Sequence, residues 1–346
     1  MIKIDGRFGE GGGQILRTSL TLSVLTGQPV QIDHIRANRR NPGLAPQHLT
    51  NVKALAAISH AHVTGDTLGS QTVTFHPQQP PLPGRYHFDV SHVTKGGSAG
   101  SVSLILQTVL LPLALAAEPS TVTLVGGTHV AWSPSFHYLA NVYLPFMAQV
   151  GVETAVTLKQ YGFYPKGGGL IQAEILGNGN LLSITLPHRG GLQAITGSAL
   201  AANLPTHIAQ RMANRAYNVL RPTIAAKITP QRVNSPGPGA GIFLLVQYDY
   251  ATTGFSAFGK KGLPADKVAD AACEALLAHH KRSGAIDPYL ADQIMLPLAL
   301  ANGQSLYTTT AVTQHLLTNA HVIRQFLPKP IHITGELGQP GTITIG

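Results

Sequence analysis

Three stretches of the chain repeat one order of features, and internal repetition restricts the architecture more than any other sequence property. Each carries a Gly-rich turn or short loop, an apolar helix with an early glutamine, a β segment, a loop and a second helix. The first runs through Gly11-Gly-Gly-Gln14-Ile-Leu-Arg17, then Pro29-Val-Gln-Ile-Asp-His-Ile35, then Gln47-His48-Leu-Thr-Asn51. The second runs through Gly96-Gly-Ser-Ala-Gly100 to Gln107, then Thr121-Val-Thr-Leu-Val125, then Phe136-His137-Tyr-Leu-Ala-Asn141. The third runs through Tyr289-Leu-Ala-Asp292-Gln293, then Ser305-Leu-Tyr-Thr-Thr309, then Gln314-His315-Leu-Leu-Thr-Asn319.

The interval from Gln107 to Gln293 is twice that from Gln14 to Gln107, so one further module is expected between the second and third repeats. Residues 186–284 fill that slot. They hold a Pro/Gly-rich turn at 235–241, a β-like run at 242–248 and a helix predicted over 264–280. Alternation at Val73-Thr-Phe75 and Ile171-Gln-Ala-Glu-Ile175 predicts strands between the helices. The expected fold is α+β, made of α/β-type repeats. Residues 1–185 and 285–346 are expected to form a large domain, and residues 186–284 a smaller inserted α/β domain.

Composition narrows the partners. The chain has 346 residues, 44% hydrophobic and 11% charged, enough apolar material for one large core or two smaller ones. Disorder is excluded by that balance. Net charge is +9, which favours polyanions such as nucleic acid or nucleotides. Cys273 is the only cysteine, so no intrachain disulfide and no cysteine-based zinc site can form. The opening residues carry no apolar signal segment, and the longest apolar run is interrupted by Gln107 and Pro112. It falls short of the roughly 20 residues of a membrane span. A cytoplasmic, reducing location without membrane attachment is expected.

Candidate chemistry gathers in three places. Gly9-Glu10-Gly-Gly-Gly13-Gln14-Ile-Leu-Arg17 puts glycines ahead of a helix, where backbone N–H groups and the helix dipole favour an anion. A tight strand-to-helix turn would look the same. Arg36, Arg39 and Arg40 follow within five residues, with Asn41-Pro-Gly43 as a fixed turn behind them. Guanidinium groups grip phosphate oxygens in pairs and stay charged at any working pH. His315 opens an apolar helix, and a neutral imidazole can attack phosphorus. Among 16 histidines, His48 and His137 occupy matching places in the other repeats, and residue physics leaves all three open. No Gly-x-Ser-x-Gly elbow, His-Glu-x-x-His motif or aromatic-rich strand points to a serine hydrolase, a zincin or a base-stacking sheet.

The chain resembles the RNA 3′-terminal phosphate cyclase family from end to end. The resemblance rests on Glu10-Gly-Gly-Gly-Gln-Ile-Leu-Arg17, Ile35-Arg-Ala-Asn-Arg39, Pro42-Gly-Leu44, Gln47-His-Leu49 and Gly126-Gly-Thr128, followed by Gly162-Phe-Tyr-Pro-Lys-Gly-Gly-Gly169, Tyr289-Leu-Ala-Asp-Gln293 and His315-Leu-Leu-Thr-Asn319. It implies three units, each a four-stranded sheet with two helices, plus a smaller domain between the second and third. It implies an ATP-consuming ligase that converts an RNA 3′-phosphate end to a 2′,3′-cyclic phosphate through histidine–AMP and RNA-ppA intermediates. Carried over, His315 is the nucleophile. Gln107, Tyr289, Leu290, Ala291, Asp292 and Gln293 hold the nucleotide. Glu10, Gln14, Arg17, Arg36, Arg39 and Gln47 line the RNA phosphate and metal side, with Glu10 the expected ligand of Mg²⁺ or Mn²⁺. The partners are ATP and RNA with a 3′-phosphate; whether the chain is a monomer or homodimer stays open.

Where the family pattern has Asp after Gly126-Gly-Thr128, this chain has His129, which is expected to alter local hydrogen bonding or metal binding. Two other readings are weighed. A nonenzymatic ribosome-biogenesis relative of the same fold would lack the histidine, so His315 speaks against it. An enolpyruvyl transferase shares a repeated architecture of this general kind but needs no covalent nucleotide.

Overall fold

A computed structural model describes residues 1–93 and 98–346. The expected turn of the second repeat includes Gly96 and Gly97, which lie outside the described residues.

The first unit is β1 (Ile2–Asp5), α1 (Gly13–Thr26), β2 (Val30–Asp33), α2 (Pro46–Ser59), β3 (His62–Thr64) and β4 (Val73–His76). Its sheet order is β1-β2-β4-β3, with β1 and β2 parallel and the other pairs antiparallel. The second unit is β5 (Arg85–Asp89), α3 (Val102–Ala114), β6 (Ser120–Gly126), α4 (Phe136–Tyr138), α5 (Leu144–Gln149), β7 (Thr154–Gln160) and β8 (Gly169–Ile175). A π turn over Leu139–Tyr143 joins α4 to α5. Its order, β5-β6-β8-β7, repeats the first with the same strand directions.

The third unit opens with a two-residue strand, β9 (Thr185–Leu186), and is then interrupted. The interruption comprises β10 (Leu192–Ala202), α6 (His207–Leu220), β11 (Lys227–Val233), β12 (Gly239–Tyr248), β13 (Thr252–Phe258) and α7 (Ala265–Lys281). The unit resumes with α8 (Pro288–Gln293), α9 (Met295–Leu300), β14 (Ser305–Thr309), α10 (Gln314–Phe326), β15 (Ile331–Thr334) and β16 (Gly341–Ile345). Its sheet, β9-β14-β16-β15, follows the same order again. The extra module therefore enters after β9, the first strand of the third unit. Two residues of strand carry too little pattern to be read from sequence.

The strands alternate because one sheet face is covered: β6 and β8 bury every second residue. The helices cover that face and one another. Helix α1 packs against α2, α3 and α10, so it is buried almost all round, from Gln14 to Val24. One continuous core spans the three units, while the module sheet β11-β10-β12-β13 has its own core under α6 and α7, with Met212, Leu244, Val268 and Cys273 at its centre. No described helix is long and apolar enough to cross a membrane.

Asp287 ties these parts together. It caps α8, accepting from the backbone N–H groups of Tyr289 and Leu290 at 2.9 Å, and Pro288 follows at a position that needs no N–H partner. It also accepts from the Tyr138 hydroxyl of the second unit at 3.0 Å and from Thr253 Oγ1 of the module at 2.8 Å. The residue is fully buried, and burial pushes its carboxyl above the ordinary carboxylate range against the pull of these donors. Asp287→Ala leaves these buried donors unanswered, with a cost of about 3 kcal/mol expected. Urea unfolding monitors this directly; a loss below about 0.5 kcal/mol would count against the buried junction.

Candidate functional site

Two helix starts and the end of a third helix, α8, bring the site together. Helices α1 and α10 pack side by side, and Gln14 in the first turn of α1 meets His315 in the first turn of α10. His315 Nδ1 lies 2.6 Å from Gln14 Oε1, and Gln14 Nε2 donates to Asp292 Oδ2 at 2.5 Å. An amide has one donor end and one acceptor end. With its NH₂ turned to the carboxylate, Gln14 offers oxygen to the ring, so the imidazole proton sits on Nδ1. Nε2 is left as the ring's outward nitrogen, and it meets Glu10 Oε2. Arg39 holds the other Glu10 oxygen. The result is a linear relay: Asp292, Gln14, His315, Glu10, Arg39.

Its supports come from the same motifs. Asn319, one helical turn after His315, donates Nδ2 to the Asp292 carbonyl at 2.6 Å and accepts from Thr18 Oγ1 at 2.7 Å. Gln107 Nε2 donates to Gln293 Oε1 at 2.7 Å, linking α3 to α8. Among the described residues Arg17 makes no ion pair, though Asp292 and Glu10 attract it. Desolvation lowers its pKa to about 10 against the attraction of Asp292 and Glu10, so it remains a cation near neutrality.

Electrostatics separate the two carboxylates from the ring. Burial pushes Asp292 up to about 7, with Arg17 pulling the other way. Desolvation lowers His315 below the ordinary histidine value; Glu10 raises it, and Arg17 and Arg39 lower it. Near neutrality the ring therefore favours its uncharged, nucleophilic form. It also retains 46% side-chain exposure.

Neither rival histidine has that setting. The His48 ring sits against Gly13, where a Cβ would lie 2.1 Å from its Nε2. Burial first, then Arg36, Arg17 and Arg39, hold it at about 3. His137 Nδ1 lies 2.8 Å from Nε2 of His129, and burial lowers His137 to about 4. His129 is itself enclosed, 2.8 Å from Thr128 Oγ1, stacked on Tyr161, tilted against Phe163 and edge-on to Phe258. The His129 ring thus belongs to an aromatic seam between the second unit and the module.

Other sequence expectations need correction. Leu290 and Ala291 turn into the core, at 1% and 0% exposure, so neither side chain can reach a nucleotide. Helix α8 puts Tyr289 on its open side, 61% exposed, with Asp292 and Gln293 about one turn on. Arg36 has a left-handed backbone (φ 54°) and donates Nη1 to the carbonyls of Asn41 and Gly43. It braces its own loop beside Arg39 instead of pointing a free fork at a ligand. Gln47 accepts from the Ser101 N–H at 2.7 Å, joining the first unit to the second. The glycines before α1 are filled by protein groups: a Cβ on Gly12 would lie 2.9 Å from Arg39 Nη2. They allow close packing of arginine and histidine, so the turn is more than an empty anion cradle.

Two participants escaped the residue-level reading, Asp287 and Asn319. The Asp-Pro pair at 287–288 is a helix-start signal, and Asn319 follows His315 at the spacing that shares a helix face. Among the described residues no three His, Cys, Asp or Glu side chains converge to hold a metal. Among the described residues Glu10 is the carboxylate paired with the His315 ring.

Comparison with known proteins shows the family to which the chain belongs. The family model described as RNA 3′-terminal phosphate cyclase matches residues 8–333. A protein of that name from Methylococcus capsulatus is 51% identical over 94% of this chain and 91% of its own length. Those from Nostoc punctiforme and Gloeothece citriformis are 50% and 48% identical, over 94% of this chain and 94% and 93% of theirs. This chain belongs to the RNA 3′-terminal phosphate cyclase family.

Proposed function

We propose that this chain cyclises RNA 3′-phosphate ends with ATP, and that His315 Nε2 carries AMP as the covalent intermediate. The single observation behind the reading is the relay that fixes the His315 proton on Nδ1 and turns Nε2 outward toward Glu10 and Arg39.

The chemistry follows from that geometry. In the free protein the outward Nε2 is covered by its contact with Glu10. An entering triphosphate engages Arg39 and Arg17, and Glu10 parts from the ring, taking with it any proton shared at that contact, so that Nε2 is left with its lone pair. The Nε2 lone pair then attacks the α-phosphorus, the bond to the bridging oxygen breaks, and diphosphate leaves. Gln14 keeps the Nδ1–H throughout and so stabilises the positive charge of the phosphorylated ring. A 3′-phosphate oxygen of RNA next attacks the same phosphorus, freeing His315 and giving RNA-ppA. The 2′-hydroxyl finally attacks the terminal RNA phosphorus, loses its proton and expels AMP. A divalent cation, when bound with the nucleotide, supplies charge neutralisation at the phosphates. Tyr289, open on α8, offers a ring face to the adenine.

Family membership supports the overall reaction, and the relay supports the residue assignment. The test is a time course with α-labelled ATP and 3′-phosphorylated RNA. The expected result is a protein–AMP adduct that forms before cyclic ends appear and AMP that accumulates with product. The pH dependence has a definite sign. Protonation of His315 removes the lone pair, and protonation of Asp292 frees the Gln14 amide. Both occur on the acid side, with Asp292 near about 7, so adduct formation is flat above about pH 7 and falls below it. A rate that climbs as the medium is acidified would contradict the scheme.

A further inference from the structure

The seam between the second unit and the module carries a row of cations that the reaction centre does not use. Lys159, next to the last residue of β7, stands beside a cleft of about 670 Å³ lined also by Tyr161, Asn234 and Ser235. Arg232 lies in a second cleft, of about 340 Å³, together with Asn203. Asn203 Nδ2 donates to the Ser235 carbonyl at 2.8 Å, so the two clefts share a wall. Lys166 stands on the turn between β7 and β8, its stem lying along Gly237, where a Cβ would sit 3.0 Å from Lys166 Cβ. Lys159, Lys166 and Arg232 are exposed, and among the described residues none of them pairs with a carboxylate. Unneutralised cations along one seam make a stripe of positive potential.

The seam is physically continuous with the His315 group. Gln47 bonds Ser101, and a Cβ on Gly100 would lie 2.9 Å from Gln47 Cβ. Ser98 touches the Lys166 turn, since a Cβ on Gly167 would lie 2.8 Å from the Ser98 carbonyl oxygen. Gly168 in turn abuts Pro236 of the module, at 3.0 Å from its ring. The Lys166 turn is therefore linked through residues 98–101 to Gln47 at the start of α2, next in sequence to His48, and on its other side to the module. Tyr164, 76% exposed on the same turn, adds an open ring of the kind on which a base can stack.

We propose that this seam binds the single-stranded RNA leading into the site, through its phosphates at Lys159, Lys166 and Arg232, without reading base sequence. The proposal rests on the chain acting at RNA ends. It makes the module a backbone-holding element, so that affinity grows with RNA length while the chemistry stays at His315.

The test uses the full chain and the triple variant Lys159→Gln, Lys166→Gln, Arg232→Gln. Two substrates are compared: a 3′-phosphorylated RNA of about 20 nucleotides and a 3′-phosphorylated dinucleotide too short to leave the site. The variant is expected to raise KM for the long RNA about tenfold, to leave KM for the dinucleotide and kcat for both unchanged, and to lower the salt slope of long-RNA binding by about 2. Adduct formation from ATP alone should match wild type, showing that the fold and the site survive. Equal shifts for both substrates, or an unchanged salt slope, would overturn the proposal. If wild type cyclises neither RNA, the reaction assignment fails; fluorescence anisotropy of the long RNA against salt still measures the seam separately.

Discussion

His315→Ala is expected to abolish the protein–AMP adduct and to lower RNA cyclisation by about 10⁴-fold or more, the scale seen when a covalent nucleophile is removed. The reason lies in atoms that no neighbour can replace. His48 is closed in against Gly13, and the surrounding arginines add to its burial in holding it neutral. His137 already faces His129. Neither ring can move to the Glu10 position without dismantling a packed helix start. The substitution should be nearly silent for stability, because the ring is half-exposed and its loss frees only Gln14 Oε1 and Glu10. An unchanged thermal midpoint beside a lost adduct would therefore be the signature of chemistry, and an alanine variant that still carried AMP would remove His315 from the mechanism.

Asp292→Ala comes second, with a loss of about 10²-fold in adduct formation. Asp292 need not touch the nucleotide for this. Its carboxylate orients the Gln14 amide, which sets the His315 tautomer, and its own backbone carbonyl is gripped by Asn319. Without the carboxylate the amide can turn over, offer its NH₂ to Nδ1 and move the ring proton to Nε2, the nitrogen that has to react. Small misplacements or a wrong tautomer cost rates of this order. The diagnostic is the pH profile. In wild type the acid limb includes Asp292 near about 7; in Asp292→Asn it should shift toward the lower value of His315 alone. An acid limb that does not move would leave Asp292 a mere packing residue.

Much of this architecture is visible in the order of residues, and the failures have physical reasons. The repeated glutamines mark equivalent helices because Gln14, Gln107 and Gln293 all stand at the meeting of central helices, where a polar side chain needs a partner. Strand β9 left no trace in the sequence because two residues cannot alternate visibly. His315 and Gln14 were each recognisable, but their hydrogen bond joins positions 301 residues apart and depends on α1 lying against α10. Leu290 and Ala291 were grouped with Tyr289 and Asp292 by reading a motif as a unit; the helix sorts it into a wet side and a buried side. Arg36 looked equivalent to Arg39 until a left-handed residue turned its guanidinium back onto the loop. Long-range packing and backbone reversal are what a linear pattern conceals.

The most direct measurement is peptide mapping of the adenylylated protein. After incubation with ATP, fragments are separated under alkaline conditions that preserve a phosphoramidate, and the fragment bearing AMP is sequenced by mass spectrometry. The adenylate is expected on the peptide containing Gln314-His315-Leu316, at the imidazole. Label on a lysine, on His48 or His137, or no covalent label alongside active cyclisation, would contradict the account.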